Sequence, residues 1–483
     1  MNTIRILLAT AATLLVATAQ AQNLAAVERA VSDAEKDASM RHATVAVSVY
    51  NITKNTQLYS HNANRFVTPA SVAKIFTTGA GFELLGSDFR FKTVISCTGN
   101  IDREGTLHGN IYITGGGDPL LGSYRYRQTT PDSLFRTWTA AIRKRGIKRI
   151  DGKVCYNSSV FDDQALHDSW TWGDVGNYYG AGAYGLNFHE NMYFVYFNPG
   201  KKLGYPASVN RIAPKNLNVR SNCEVATGPE NSGDRVTIYG SPFGPDRAYR
   251  GTVPLGQPDF GVRGAMPNPP QSCAEMFATY LRTHDIAVSQ NVQQVFTLPD
   301  SAITVLDYFS SPYYIIAQYT NLTSNNIYAE SIFKYLGYLN HGRGSFDNGA
   351  KTMGEFFSAH GLDDGSVRMV DGSGLSRLNR VTADFVTKYL SSIAGERYYD
   401  DFAQSLAETG KSGTARNMLP DLPANVTVRV KTGSIDGVRA YAGYITTASG
   451  DLLSFAVIAN DFNGSPRAAA AKLEKILLRI AGL

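Results

Sequence analysis

The sequence predicts an α/β protein: an antiparallel sheet flanked by helices, split by an inserted β-rich region of two subdomains. Three observations predict it. Alternating apolar strands lie close to amphipathic helices at both ends of the chain, at Val45–Tyr50 and again from Val426 to Ala459. Between them, from Thr93 to Gln290, the texture changes: this stretch carries all four cysteines, all three tryptophans and 13 of the 19 prolines. Helical periodicity then returns from about Ile303. Two halves of one sheet domain interrupted by an insert account for all three. The expected boundaries are 22–92 with 291–483 for the discontinuous domain and 93–290 for the insert. At 483 residues the chain is long enough for two or three cores.

Residues 1–21 read as a leader: one positive charge by Arg5, an apolar run from Ile6 to Ala19, then Ala19-Gln20-Ala21. The run is short and ends in small residues, which favours a cleaved signal peptide over an anchor. No later apolar run reaches membrane-spanning length, so the mature chain is expected to be exported, soluble and periplasmic. A helix follows at Leu24–Ala38, then Val45–Tyr50 and Gln57–Ser60 as a hairpin, then a helix opened by Ser71 that runs to about Leu85 and stops at Gly86. Within the insert, Leu107–Thr114, Ile147–Cys155, Met192–Asn198 and Arg235–Gly240 read as strands between Gly, Pro and Asp turns, closed by a helix at Ser272–Thr283. Gly115-Gly116-Gly117-Asp118-Pro119 follows a strand, but no lysine or helix start follows it, so a tight turn fits better than a phosphate loop. Helices are expected at Ile327–Leu339, Ala350–His360 and Thr382–Ala394. Strands at Val426–Val430, Tyr441–Thr447 and Leu452–Ala459 and a helix at Arg467–Ile480 complete the chain.

An apolar content of 43% with 18% charged residues describes a globular chain and excludes disorder. The formal charge of +5 is mild. It permits peripheral contact with an anionic membrane or wall and gives no reason to expect nucleic acid. Cys97, Cys155, Cys223 and Cys273 allow three pairings or none, and their spacings of 58, 68 and 50 residues match no zinc pattern. Oligomeric state leaves no mark in the sequence.

Chemistry concentrates in three strings. In Thr68-Pro69-Ala70-Ser71-Val72-Ala73-Lys74, the serine and lysine stand three apart at a helix start, so hydroxyl and amine share a face. A serine hydroxyl is a weak nucleophile until a base takes its proton, and a lysine with a lowered pKa can do so. Roughly one or two such strings occur by chance in a chain of this length, and Ser331-Ile332-Phe333-Lys334 is a decoy. Ser324-Asn325-Asn326 precedes a helix; Ser324 could pass a proton to a leaving amine, and the Asn326 amide could hold a substrate backbone group. An N-cap is the plain structural alternative, and Ser208-Val209-Asn210 and Ser289-Gln290-Asn291 match the same string. Lys431-Thr432-Gly433-Ser434 continues a strand in which Val426, Val428 and Val430 face one way, so Lys431 falls on the polar side. A cation with the Thr432 and Ser434 hydroxyls could bind a carboxylate, and Gly433 lets a substrate approach the backbone. Lys411-Ser412-Gly413 is a rival surrounded by turn residues.

Taken in this order, serine-lysine on a helix, Ser-x-Asn at a helix start and Lys-Thr-Gly on a strand, the chain resembles the penicillin-binding serine D,D-peptidases. It is most similar to the class C low-molecular-mass group, the D-alanyl-D-alanine carboxypeptidase/endopeptidase family, which also has a long gap between the first two motifs. Gly116-Gly117-Asp118-Pro119, Asn177-Tyr178-Tyr179-Gly180-Ala181, Asp371-Gly372-Ser373-Gly374-Leu375-Ser376-Arg377 and Tyr441-Ala442-Gly443-Tyr444 extend the likeness over nearly the whole mature chain. The departures are small: Asn325 where an acid is common, Ser434 where threonine is usual, and Ala73 where a polar residue is frequent.

The resemblance implies a penicillin-binding transpeptidase-like domain and cleavage of D-Ala-D-Ala or D-Ala-diaminopimelate bonds of peptidoglycan stem peptides. Neither cofactor nor metal is implied, and β-lactams would be acylating inhibitors. It further implies Ser71 as nucleophile, Lys74 as base and Ser324 as proton relay, with the backbone N–H groups of Ser71 and Ser434 as the oxyanion hole. Asn326 would hold the substrate amide, and Lys431, Thr432 and Ser434 its terminal carboxylate. Ser373, Arg377 and Asp174 are implied as pocket residues, Asp174 against the ammonium of a diaminopimelate side chain. A β-lactamase and a catalytically inactive wall-binding protein are the rivals; steady nitrocefin turnover would mark the first, and failure of Ser71 to take a fluorescent penicillin the second.

Overall fold

The computed structural model describes residues 22–215 and 217–483; the leader expected at 1–21 lies outside the described residues. The chain forms two compact units, one of residues up to Ser87 with Ala317–Ser324 and Met353–Leu483, the other of Asp88–Ile316 with Asn325–Thr352.

The first unit is built on a six-stranded antiparallel sheet in the order Thr56–His61, Thr44–Asn51, Leu452–Asn460, Val438–Thr446, Thr427–Ile435 and Ala407–Glu408. Chain ends meet here: Val47 sits opposite Val457, and Thr432 opposite Tyr441. The central strand Leu452–Asn460 is buried at every position but its first, because both sheet faces are covered. On one face the helices 22–36 and Pro466–Ala481 set Val27, Val31, Leu473, Ile476, Leu477 and Ile480 against Val45, Val47, Val428, Val430, Phe455 and Val457. On the other face Ala383–Ile393 packs on the three central strands. Caps fix two of these helices: the Ser465 hydroxyl accepts from Ala468 N with Pro466 at the first helical position, and Thr382 accepts from Phe385 N. Each such cap stabilises by about 1 kcal/mol.

Among the described residues of the second unit two apolar clusters can be traced. One gathers Trp138, Phe135, Ile113, Leu107, Phe277 and Leu281 beneath a five-stranded and a four-stranded sheet. The other gathers Tyr193, Val195, Phe197, Ile238, Tyr249 and Val262 between two three-stranded sheets. Three expectations change here. The stretch Leu107–Thr114 is two strands, Thr106–His108 and Ile111–Thr114, belonging to different sheets. Ile147–Cys155 likewise splits into Arg149–Ile150 and Val154–Asn157. A 14-residue helix, Pro131–Lys144, lies in what reads as β-rich sequence. Its signals were in the text: Thr130 caps it, Pro131 opens it, and Leu134, Phe135, Trp138 and Ile142 line one face. In the Gly115–Gly117 turn the N–H groups of Gly115 and Gly117 are spent on the carbonyls of Asn157 and Gly185, which is a structural turn. All four cysteines are free thiols; Cys97, Cys155 and Cys273 are buried and Cys223 is partly buried. Among the described residues no helix is long and apolar enough to cross a membrane.

Candidate active site

In the first unit, Ser71 lies in a 3₁₀ turn, Ala70–Ala73, that runs straight into the helix Lys74–Leu84. Nearly every residue of that helix is buried, so it is a core element rather than a surface one. Tyr389 donates to the carbonyls of Ile75 and Phe76 and so pins its first turn. The Lys74 amine, with no exposed surface, lies 3.0 Å from the Ser71 hydroxyl and donates to the carbonyl of Ser373 at 2.7 Å. That carbonyl is itself aimed by a rigid loop. The buried Asp371 carboxylate accepts from the N–H of Gly374 and of Ser376 and from the Asn379 amide, at 2.6–2.8 Å. Gly374 has φ +80, and a Cβ there would stand 1.9 Å from the carbonyl of Ala70, so only glycine lets this loop reach the Ser71 turn.

The strand Thr427–Ile435 reaches the same turn from the sheet. A Cβ on Gly433 would fall 2.7 Å from Pro69 O and 3.1 Å from the N–H nitrogens of Ser71 and Val72. The neighbouring edge strand pairs only with Arg429 and Val430. Among the described residues no other strand covers 431–435, which run past Ser71 as an open strand edge. Such an edge can take an extended peptide by backbone hydrogen bonds.

Lys431 has no exposed surface; its amine donates to the Ser324 hydroxyl at 3.0 Å and to the Thr432 carbonyl at 2.6 Å. Its sheet face is the one opposite Val430, as the alternation requires, but that face is covered rather than wet. Thr432 and Ser434 point to the other face. The Thr432 hydroxyl bonds Thr414 at 2.8 Å, while Ser434 is exposed and stands opposite Arg439. Thr414 follows the rival string Lys411-Ser412-Gly413 and was not foreseen. In that string Lys411 is a surface ion-pair partner of Glu408, and the Ser412 hydroxyl accepts from Glu408 N. Arg377 donates to the carbonyl of Asp436, in the turn just after Ser434. The Ser373 hydroxyl accepts from Leu375 N.

Burial holds the Lys431 pKa well below the usual lysine value, and the charges of Lys74 and Arg439 push the same way. The unfolded chain thus binds a proton that the folded chain resists. Lys431 therefore costs stability progressively as pH falls below 10.5, and the cost is complete below its folded pKa. Lys431→Met removes this dependence. The melting temperature of the variant relative to wild type should rise as pH is lowered from the ordinary lysine range towards neutrality; thermal melts across that range check it, and a pH-independent difference contradicts it.

In the second unit, Asn326 opens the helix Asn326–His341 and its amide donates to the Tyr179 carbonyl at 2.8 Å. The N-cap is Asn325, without a side-chain cap bond, so the Ser324 hydroxyl is not spent on capping. Asp174 accepts from the N–H and hydroxyl of Thr171, a capping box on a short helix, and with burial it helps to push the Tyr179 phenol up to about 12. The decoy Ser331 and Lys334 belong to this unit's core. Lys334 pairs with Asp162 at 2.7 Å and donates to the Gln164 carbonyl, and Ser331 accepts from Asn187.

A hydroxyl beside a buried amine, a second such pair, and an uncovered strand edge can together perform acyl transfer. A model of the D-Ala-D-Ala carboxypeptidase 3 (S13) family matches residues 27–479. A D-alanyl-D-alanine carboxypeptidase of Actinomadura sp. (strain R39) is 27% identical over 460 residues, 92% of this chain and 82% of its own length. Among solved structures, penicillin binding protein 4 (dacB) from Haemophilus influenzae superposes with a TM-score of 0.80 at 24% identity, covering 94% of this chain and 99% of that one. The same protein complexed with a β-lactam gives 0.76 at 23% identity, covering 95% and 99%. These two structures establish a shared fold.

Proposed function

This chain belongs to the D-Ala-D-Ala carboxypeptidase 3 (S13) family, serine peptidases that act on peptidoglycan, and from that premise we propose which of its residues do the work. Ser71 attacks the carbonyl of the D-Ala-D-Ala bond while Lys74 takes its proton. The oxyanion of the tetrahedral intermediate lies between the N–H groups of Ser71 and Ser434. As the intermediate collapses, the proton taken up by Lys74 is relayed through Ser324 to the leaving amine, D-alanine leaves, and water hydrolyses the acyl-enzyme. Lys431, Thr432 and Ser434, on the strand that passes Ser71, are assigned to the substrate's terminal carboxylate, Thr432 and Ser434 from the sheet face opposite Lys431. Asn326 holds a substrate amide. Ser373 acts through the carbonyl that orients Lys74, Arg377 through the turn after Ser434, and Asp174 faces the ammonium of the stem-peptide side chain.

The observation that carries this reading is the Ser71–Lys74 pair at 3.0 Å against the Gly433 edge, with the Lys431–Ser324 pair at 3.0 Å in the same unit. The strained amide of a β-lactam presents the same bond and acylates the same serine. We place the enzyme outside the cytoplasmic membrane, where its substrate is, with 22–92 and 291–483 as the peptidase domain and 93–290 as an accessory region.

The test is to expose the purified protein to a fluorescent penicillin, map the labelled peptide by mass spectrometry, and digest uncrosslinked and crosslinked muropeptides in parallel. Label on Ser71 with release of D-alanine or of crosslink-cleavage products is the expected result. Label elsewhere, or no product from either substrate, would sink the assignment.

A further inference from the structure

Glu190 belongs to no part of this chemistry and yet its carboxylate, buried in the second unit, accepts from four different side chains. It is 1% exposed. One oxygen accepts from the Ser123 hydroxyl at 2.6 Å, Arg125 Nε at 2.6 Å and the Tyr328 phenol at 3.0 Å. The other accepts from Arg125 Nη2 at 2.9 Å and from the Asn325 amide at 3.2 Å. A buried carboxylate is tolerated only when paired and fully hydrogen-bonded, and the bidentate arginine meets that demand. The backbone is also held in an unusual way. His189, Glu190 and Asn191 have φ values of 55, 55 and 50, three successive non-glycine residues in the left-handed region. Such strain persists only where surrounding contacts over-determine it. Here the Asn191 side chain accepts from Phe188 N and donates to Gly182 O and to Asn187.

The recipient of this effort is the turn before the helix Asn326–His341. Asn325 occupies the N-cap, where an asparagine ordinarily accepts from its own helix; instead its amide is turned onto Glu190. Tyr328, one turn along, is bound to the same carboxylate. Asn326 is tied to the Tyr179 carbonyl. Both residues that follow Ser324 are therefore anchored by side chain, and Ser324 itself has φ +55.

We infer that Glu190 is a positioning residue for the Ser324-Asn325-Asn326 turn, acting through the Asn325 amide; this rests on the assignment of Ser71 and Ser324 above. The carboxylate touches no substrate. Its role is to choose the one orientation of Asn325 that leaves the Ser324 hydroxyl free for Lys431 and fixes Asn326 for the substrate.

The test compares acylation by a fluorescent penicillin, with binding and bond formation resolved by stopped flow, in four proteins. Asn325→Ala cuts the link and leaves the Glu190–Arg125 pair intact; Asn325→Asp sets a second carboxylate against Glu190; Glu190→Gln with Asn325→Asp restores the link with donor and acceptor exchanged, at the cost of one of the two Arg125 bonds. The single variants are expected to lose roughly 10- to 100-fold in the bond-forming step, the scale set by misplacing a group by about 1 Å, with penicillin affinity little changed. The double variant should regain most of that rate, whether or not its melting temperature recovers. Wild-type rates in both single variants, or a double variant no faster than Asn325→Asp, overturn the inference and leave the Ser71 assignment standing. Absence of label on the wild type removes that assignment first and this inference with it.

Discussion

Ser71→Ala is expected to remove covalent labelling by penicillin altogether and to lower D-alanine release by about 10⁴- to 10⁶-fold, the range seen when a nucleophile that works as a unit with its base is deleted. The Lys74 amine and the Ser324 hydroxyl of the proposed site are both engaged elsewhere. The Lys74 amine that lies 3.0 Å from the hydroxyl would keep its bond to the Ser373 carbonyl, and the Ser324 hydroxyl is bound to Lys431. Because Ser71 is only partly buried and the change removes one oxygen, stability should move by about 0.5 kcal/mol or less. Intact-mass spectrometry after penicillin treatment and a D-alanine assay read the two effects. A labelled Ser71→Ala protein would move the nucleophile elsewhere.

The second large effect is expected from Lys74→Arg, a substitution that keeps the charge. If Lys74 serves only as a cation that holds the Ser71 hydroxyl, arginine should retain much of the activity. If it takes the proton, arginine must fail, because a guanidinium is not deprotonated in a protein. The expected loss in the acylation rate is about 10²- to 10⁴-fold, the share that general-base catalysis contributes. The buried position and the bonds to Ser71 and Ser373 leave little room for the longer fork, so a thermal melt must accompany the kinetics. Non-additivity gives a separate check: with Ser71→Ala already present, Lys74→Arg should cost nothing further in D-alanine release, since the two act on one proton transfer. A multiplicative loss in the double variant would argue against a shared step.

Much of the first unit was legible because its elements obey local rules. The period of two through Val426, Val428 and Val430 predicts the strand that continues to Ile435, and Ser465-Pro466 marks the start of the last helix. The helix Pro131–Lys144 was just as legible and was masked by the prolines and turns around it. The stretch 107–114 was not: a run of strand-forming residues carries no mark saying that its two ends join different sheets, which depends on partners such as Arg149 and Val154 far along the chain.

By itself the sequence determined the inventory and its order: a serine three residues before a lysine at a helix start, Ser324-Asn325-Asn326 before a second helix, and Lys431 on the face of its strand opposite Val430. Helical and strand periods are set by backbone geometry, so they can be read from spacing alone. Tertiary structure alone decided between equals. Ser331 and Lys334 have the same spacing as Ser71 and Lys74, yet Asp162 and the Gln164 carbonyl turn that lysine into a core ion pair. It also decided that the Lys431 amine is dry, that Gly433 lies against the Ser71 turn, and that a carboxylate at Glu190 holds Asn325. Burial and charge are properties of what packs against a residue, and those neighbours come from chain segments tens to hundreds of residues away.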